Sequence, residues 1–223
     1  MKKQTLLRRF GAALMALVML LSLTACGGST FDASSYVSAY LKANVTGDAA
    51  DLKGFSKEAV VEVTEDYDST IKEALSAMTG SVKLSDEVQN QFTDLIKVML
   101  DGVSYEVGEA TELTEGSASG YTVPVTIKPL KLDVADELQE WAENLEEDES
   151  ILNDLDGFYE KVFGEVITLL KEAVAKGEYG EEKTINLTVT KNENDLYEID
   201  QNQLTEMGQN LFTTDLTGLT GLE

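Results

Sequence analysis

Histidine is absent from this chain of 223 residues, cysteine occurs once, and proline occurs twice. Without His there is no imidazole base, no Ser-His-Asp or Cys-His nucleophile, and no His-ligated zinc or iron. A single Cys excludes an internal disulfide, a CxxC redox pair and a multi-Cys metal cluster. Positive charge is also scarce: 17 Lys+Arg stand against 41 Asp+Glu, a formal net charge of −24. Such a surface does not displace counterions from phosphates, so nucleic acid is excluded as a partner. Neither a GxxxxGK[ST] loop nor a GxGxxG turn is present, which leaves nucleotide binding without support. What is there is ordinary for a folded protein, with 43% hydrophobic and 26% charged residues. No cofactor and no metal is expected.

The few cations are unevenly placed. Lys2, Lys3, Arg8 and Arg9 precede a largely apolar run over residues 10–23, with no acid among them. This is the n-region and h-region of a secretory signal. At 14 residues the run is shorter than the ~20 needed to cross a bilayer as a helix. It leads into Leu23-Thr24-Ala25-Cys26-Gly27-Gly28-Ser29, which resembles the lipobox of bacterial lipoproteins of the Gram-positive type. The resemblance implies cleavage before Cys26, a diacylglyceryl group on its thiol, and palmitate-type acyl chains as the membrane anchor. Two acyl chains hold a protein at a membrane where one is marginal. Gly27-Gly28-Ser29 has the composition of a flexible tether. Removal of residues 1–25 leaves 13 lysines, no arginine and all 41 acids, a net charge of −28. A domain without Arg has no guanidinium fork to clamp phosphate or carboxylate.

Residues 32–213 read as one α+β domain. Tyr36, Val37, Tyr40, Leu41 and Val45 have helical spacing, with Asp32 or Ser34 as cap and Gly47 as stop. A short helix over 48–54 and a longer one over 56–80 follow, although residues 60–63 also suit a strand. Ser85 caps a further helix whose stripe is Val88, Phe92, Leu95, Ile96, Met99 and Leu100. The period then changes to two: 103–113 and 121–127 alternate and make one hairpin, 184–190 and 196–199 another. Pro124 and Pro129 suggest that the second strand of the first hairpin lies at an edge or carries a bulge. Helices are expected over 134–145, 151–176 and 203–212, and residues 214–223 are expected to fray. An antiparallel sheet of about four strands, packed with N-terminal, central and C-terminal helices, results.

The segment Tyr36-Val37-Ser38-Ala39-Tyr40-Leu41-Lys42-Ala43, with Gly47-Asp48, resembles the first helix and turn of small Gram-positive lipoproteins of unknown function. Asn186-Leu187-Thr188-Val189-Thr190-Lys191 and Asp195-Leu196-Tyr197-Glu198-Ile199 resemble their closing strands. The resemblance implies a nuclear transport factor 2-like or cystatin-like fold and carries over no catalytic residue. The helical section over 134–176 exceeds the minimal form of that fold.

Residues 133–160 hold 12 acids and no Lys or Arg. Glu137, Glu140, Asn144 and Glu147 fall on one face of their helix, opposite Val134, Leu138, Trp141, Ala142 and Leu145. Asn153-Asp154-Leu155-Asp156-Gly157 looks like a calcium loop. With Gly157 at loop position 6, however, Leu152 and Phe163 occupy positions that require oxygen ligands, so the match fails. A solvated acidic face is the expectation. The expected function is a lipid-anchored, extracytoplasmic, non-catalytic module that binds a ligand or partner of the cell envelope, facing outward from the cell membrane. The alternative is a small enzyme using a buried Asp/Glu-Tyr pair in a cone-shaped pocket. Tyr36, Tyr40, Tyr105 and Tyr121 are read as core aromatics, and Trp141 as a packing residue. Cys26 is the one site residue named for lipid attachment.

Overall fold

A computed structural model describes residues 25–26, 31–55, 67, 71–72, 75, 84–113, 120–145, 155–193 and 196–214. Residues 1–24 of the expected signal peptide 1–25, residues 27–30 of the expected lipidated-cysteine and tether segment 26–31, most of the 56–80 helix, the turn 114–119, and residues 146–154 and 215–223 lie outside them.

Helix α1, Ala33–Thr46, begins where Asp32 accepts hydrogen bonds from the backbone N and the hydroxyl of Ser35, at 3.0 and 2.7 Å. It ends at Gly47, whose φ of 72° satisfies the last turn through Ala43 O. A Cβ at Gly47 would also stand 2.8 Å from the Tyr67 ring, so both backbone and space ask for glycine. A 3-10 turn, Ala50–Gly54, follows. Helix α2, Asp86–Asp101, is capped by Ser85, which accepts from Val88 N at 3.4 Å. The two-residue strand β1, Ala25–Cys26, precedes all of these.

The sheet contains β2 (Ser104–Val107), β3 (Thr111–Glu112), β4 (Gly120–Lys128), β6 (Lys183–Lys191) and β7 (Leu196–Ile199). Its order is β1-β7-β6-β4-β2, with β3 also on β4, and every pair is antiparallel. The class is therefore α+β. Val123, Val125 and Ile127 of β4 face Leu187, Ile185 and Lys183 of β6, and their alternation buries one side of the sheet. On the other side Thr126 and Thr184 exchange a hydroxyl hydrogen bond of 3.0 Å.

Strand β4 is central, not an edge, although Pro124 lies in it. The bulge sits in the neighbouring stretch between β2 and β3. Ser104 to Val107 pair in register with Lys128 to Val125, whereas Thr111 pairs with Thr122, so Gly108, Glu109 and Ala110 oppose only Val123 and Pro124. Pro124 O accepts from Gly108 N at 2.8 Å, so the side on which proline lacks a donor faces this bulge. The ring also sits tight: a Cβ at Gly108 would come within 2.8 Å of Pro124 Cγ. Ser34 completes the joint. Its hydroxyl donates to Gly108 O at 2.9 Å and accepts from Ala110 N at 2.8 Å.

Helix α3, Ala135–Leu145, and helix α4, Leu155–Lys176, connect the two hairpins. Helix α5, Gln201–Gln209, stops three residues before the expected 212. Asn210 closes it, its side chain donating to Glu206 O and its backbone N to Met207 O. Phe212–Thr213 then forms β8, parallel to β5, Leu130–Lys131. The apolar spacing Leu204, Met207, Leu211 continues past the helix because Leu211 is buried in the same core, which is why periodicity overran the end.

Two apolar clusters result. The first joins α1, the sheet and α5 around Tyr36, Tyr40, Val125, Leu187 and Leu204. The second joins α2, α4 and β5 around Phe92, Ile96, Met99, Leu130 and Ile167, with Ile71, Leu75 and Val45 included.

Candidate functional site

Cys26 stands in the outermost two-residue strand. Ala25 pairs with Tyr197 and Cys26 with Leu196, so the backbone at the expected cleavage site lies along the edge of β7. Five residues on, Phe31 returns to the same place. Its ring stacks on Tyr197 at 3.7 Å between centroids and 7° between planes. Tyr36, Phe55 and Tyr121 surround Phe31 at 5.5, 6.1 and 5.9 Å. Lys191 Nζ lies 5.4 Å from the Tyr197 ring centre, a cation–π distance. Tyr36 Oη donates to Tyr197 O at 3.3 Å, tying the helix to the strand under the stack.

The local sequence explains this aromatic clasp. Asp32 is the N-cap of α1, so Phe31 is the residue before the cap and Tyr36 the fourth of the helix. An apolar pair at those positions closes over the helix start. Phe31 was not among the residues singled out from sequence, but this spacing is the signal that identifies it.

Electrostatics around the clasp are those of aromatic burial and helix capping. Burial pushes the Tyr36 and Tyr40 hydroxyls well above the ordinary tyrosine range, and for Tyr36 the charges of Tyr40 and Glu198 add to it. Tyr105 is also raised by burial, and Tyr121 by burial and by Tyr197 beside it. The Ser35 hydrogen bonds hold Asp32 below the usual carboxylate range. These tyrosines are protonated side chains in a packed cluster.

The acid/base alternative asks for a buried carboxylate beside a tyrosine. Among the described residues the buried polar side chains are Asn44 and Thr93. Tyr40 has Asn44 next to it, whose amide donates to Tyr40 O at 2.8 Å. Glu198 is half-buried and is bound by Asn192 Nδ2 at 2.5 Å. Trp141 is half-buried on α3, and Glu137 and Glu140 of the acidic face are exposed. Glu137 pairs with Lys176 at 3.2 Å, and its own backbone N–H and that lysine hold its carboxyl below the usual range. Among the described residues no three His, Cys, Asp or Glu side chains converge as a metal site. No described helix is long and apolar enough to cross a membrane.

No protein-family model matches the chain, and no curated protein matches its sequence. A solved structure does match: YcdA of Bacillus subtilis subsp. subtilis str. 168, provisionally described as a lipoprotein, at 18% identity and a TM-score of 0.52. The match covers 82% of this chain and 56% of that one, so this chain spans little more than half the length of its neighbour. At that identity the likeness is one of fold.

Proposed function

We propose that this protein is a lipid-anchored, extracytoplasmic component of a bacterial cell envelope. Residues 1–25 are its signal peptide, Cys26 carries the diacylglyceryl group, and residues 32–213 form a non-catalytic module that binds an envelope ligand or partner. The single observation that carries the reading is the lone cysteine at Leu23-Thr24-Ala25-Cys26, behind four cations and a short apolar run. The provisional description of the structural neighbour as a lipoprotein agrees with it. So does the charge: a mature surface of 13 lysines against 41 acids is repelled by anionic headgroups, so covalent acyl chains must hold the protein. The domain belongs by this reading with the nuclear transport factor 2-like or cystatin-like lipoproteins, and α3 and α4 are an insertion between its hairpins.

A non-catalytic role accords with the way the tyrosines are used. Tyr36 and Tyr40 fill the core of the first cluster, and Tyr36 spends its hydroxyl on Tyr197 O. The test of the anchor is Cys26→Ala in the producing cell. Loss of fatty-acid labelling and release of the protein from the membrane fraction are expected. Unchanged labelling and retention would overturn the assignment.

A further inference from the structure

Beyond attachment itself, the fold specifies which end of the domain meets the lipid. Strands β6 and β4 run side by side, with Thr190 opposite Gly120 at one end and Lys183 opposite Ile127 at the other. Cys26, through its partner Leu196, belongs to the Thr190–Gly120 end, because Lys191 pairs with Tyr197. Phe31 is stacked on that same Tyr197. Cys26 and Phe31 thus both meet β7, with only four residues between them in sequence.

The acidic helical section attaches at the opposite end. It enters after Lys128, the last residue of β4, and leaves before Lys183, the first residue of β6. Glu137 of α3 is held there by Lys176, the last residue of α4. Helix α1 leads the same way: it starts at the Phe31 clasp and its Val45 packs in the second cluster with Leu130 and Ile167. Strand β6 has nine residues, so its ends are about 27 Å apart at ~3.4 Å per residue. The field of anionic headgroups decays over about 8 Å at physiological ionic strength. Charge at the far end is therefore screened from the membrane.

We infer that the domain stands on the bilayer by the β6–β7 end of its sheet, with Phe31 stacked on Tyr197 fixing that orientation and the acidic α3–α4 section directed away from the lipid. The inference rests on lipid attachment at Cys26. It explains how so acidic a protein is kept close to an anionic surface. The acyl chains hold the near end down, while the clasp stops the domain from turning its acidic helices toward the headgroups.

The test uses the lipidated chain purified from membranes, with one added thiol for a fluorescent label. Glu193→Cys marks the near end, and Glu181→Cys the far end; both positions are exposed. Each labelled protein is placed in phosphatidylcholine–phosphatidylglycerol vesicles carrying a short-range nitroxide quencher on the lipid headgroups. Mass spectrometry of the N-terminal peptide checks acylation of Cys26 in the same samples. Several-fold stronger quenching at 193 than at 181 is expected. Equal quenching, or stronger quenching at 181, in an acylated sample overturns the orientation and leaves the anchor standing. An unacylated Cys26 overturns both. In the Phe31→Ala background, with folding checked by circular dichroism, the 193-to-181 ratio is expected to fall toward one. An unchanged ratio overturns the part assigned to the clasp.

Discussion

The two apolar clusters are made of similar side chains but are held in different ways. In the first, polar groups lock the packing across long stretches of chain. Ser34 joins α1 to the bulge at Gly108, Tyr36 joins α1 to Tyr197, and Gln203 of α5 accepts from Thr188 N at 2.6 Å where β7 has ended. In the second, Phe92, Leu95, Ile96 and Leu100 of α2 are fully buried against Ile167, Leu170 and Ala173 of α4. Its polar ties lie at the margin: Tyr67 Oη donates to Val45 O at 2.8 Å, Tyr179 Oη to Gly102 O at 3.0 Å, and the exposed Glu137–Lys176 pair joins α3 to α4. Exposed pairs contribute little. A cluster held by shape loses most when volume is removed, whereas one held by polar register loses most when a single donor or acceptor goes.

The sharpest way to break that contrast is Phe92→Ala. Phe92 has no exposed surface and meets Phe163 edge-on at 5.5 Å, so the cavity should cost about 3–5 kcal/mol. Urea unfolding measures it. A loss near 1 kcal/mol would mean that the second cluster has support beyond packing. Ser34→Ala comes next. It removes one hydroxyl but strips partners from both Gly108 O and Ala110 N, and about 1–3 kcal/mol is expected. Thr46→Ala is the control, because the Thr46 hydroxyl likewise donates to one carbonyl, Lys42 O, and accepts from one amide, Asp48 N, but on an exposed turn open to water, and a change within about 0.5 kcal/mol is expected. If the two serine and threonine variants lost the same stability, the bulge joint would not matter as argued.

The smallest effect concerns acid. Asp32 is held below its ordinary value of 3.8 by Ser35. Its contribution to stability is fully present above that unfolded value and is lost as pH falls through the lower folded one. Asp32→Asn should therefore be slightly less stable than the parent at neutral pH, with the gap closing on acidification. A gap that stayed constant or widened would remove the carboxylate from the clasp.

Much of this could be read from residues alone. Ser85, Gly47 and Asp32 announce helix ends through chemistry that acts within three or four positions, and they cap as expected. The hairpin of β6 and β7 was legible from its alternation. Pro124 pointed to an edge or a bulge; the edge is not there, and the bulge lies in the facing strand rather than in the proline's own. The chain instead keeps proline in a central strand by placing a bulge and Gly108 opposite it. The Phe212–Thr213 pairing with Leu130–Lys131 had no local sign, since two residues carry no period. For the site, Phe31 needed its partner Tyr197 to be seen.

By itself, then, the sequence determined what is written in short-range chemistry: a cationic start, a short apolar run with one cysteine behind it, helix caps and alternating strands. It also determined an acidic chain without His, whose two arginines both lie among its first nine residues. Tertiary structure alone decided that Cys26 and Phe31 meet the same strand, that Ser34 closes a bulge, and that α3 and α4 join the sheet at the end away from Cys26. These relations join residues as far apart as 74 positions for Ser34 and 161 for Tyr36. Only when the collapsed chain brings such residues within hydrogen-bond or ring-contact distance do they acquire an energy, and no local pattern records that in advance.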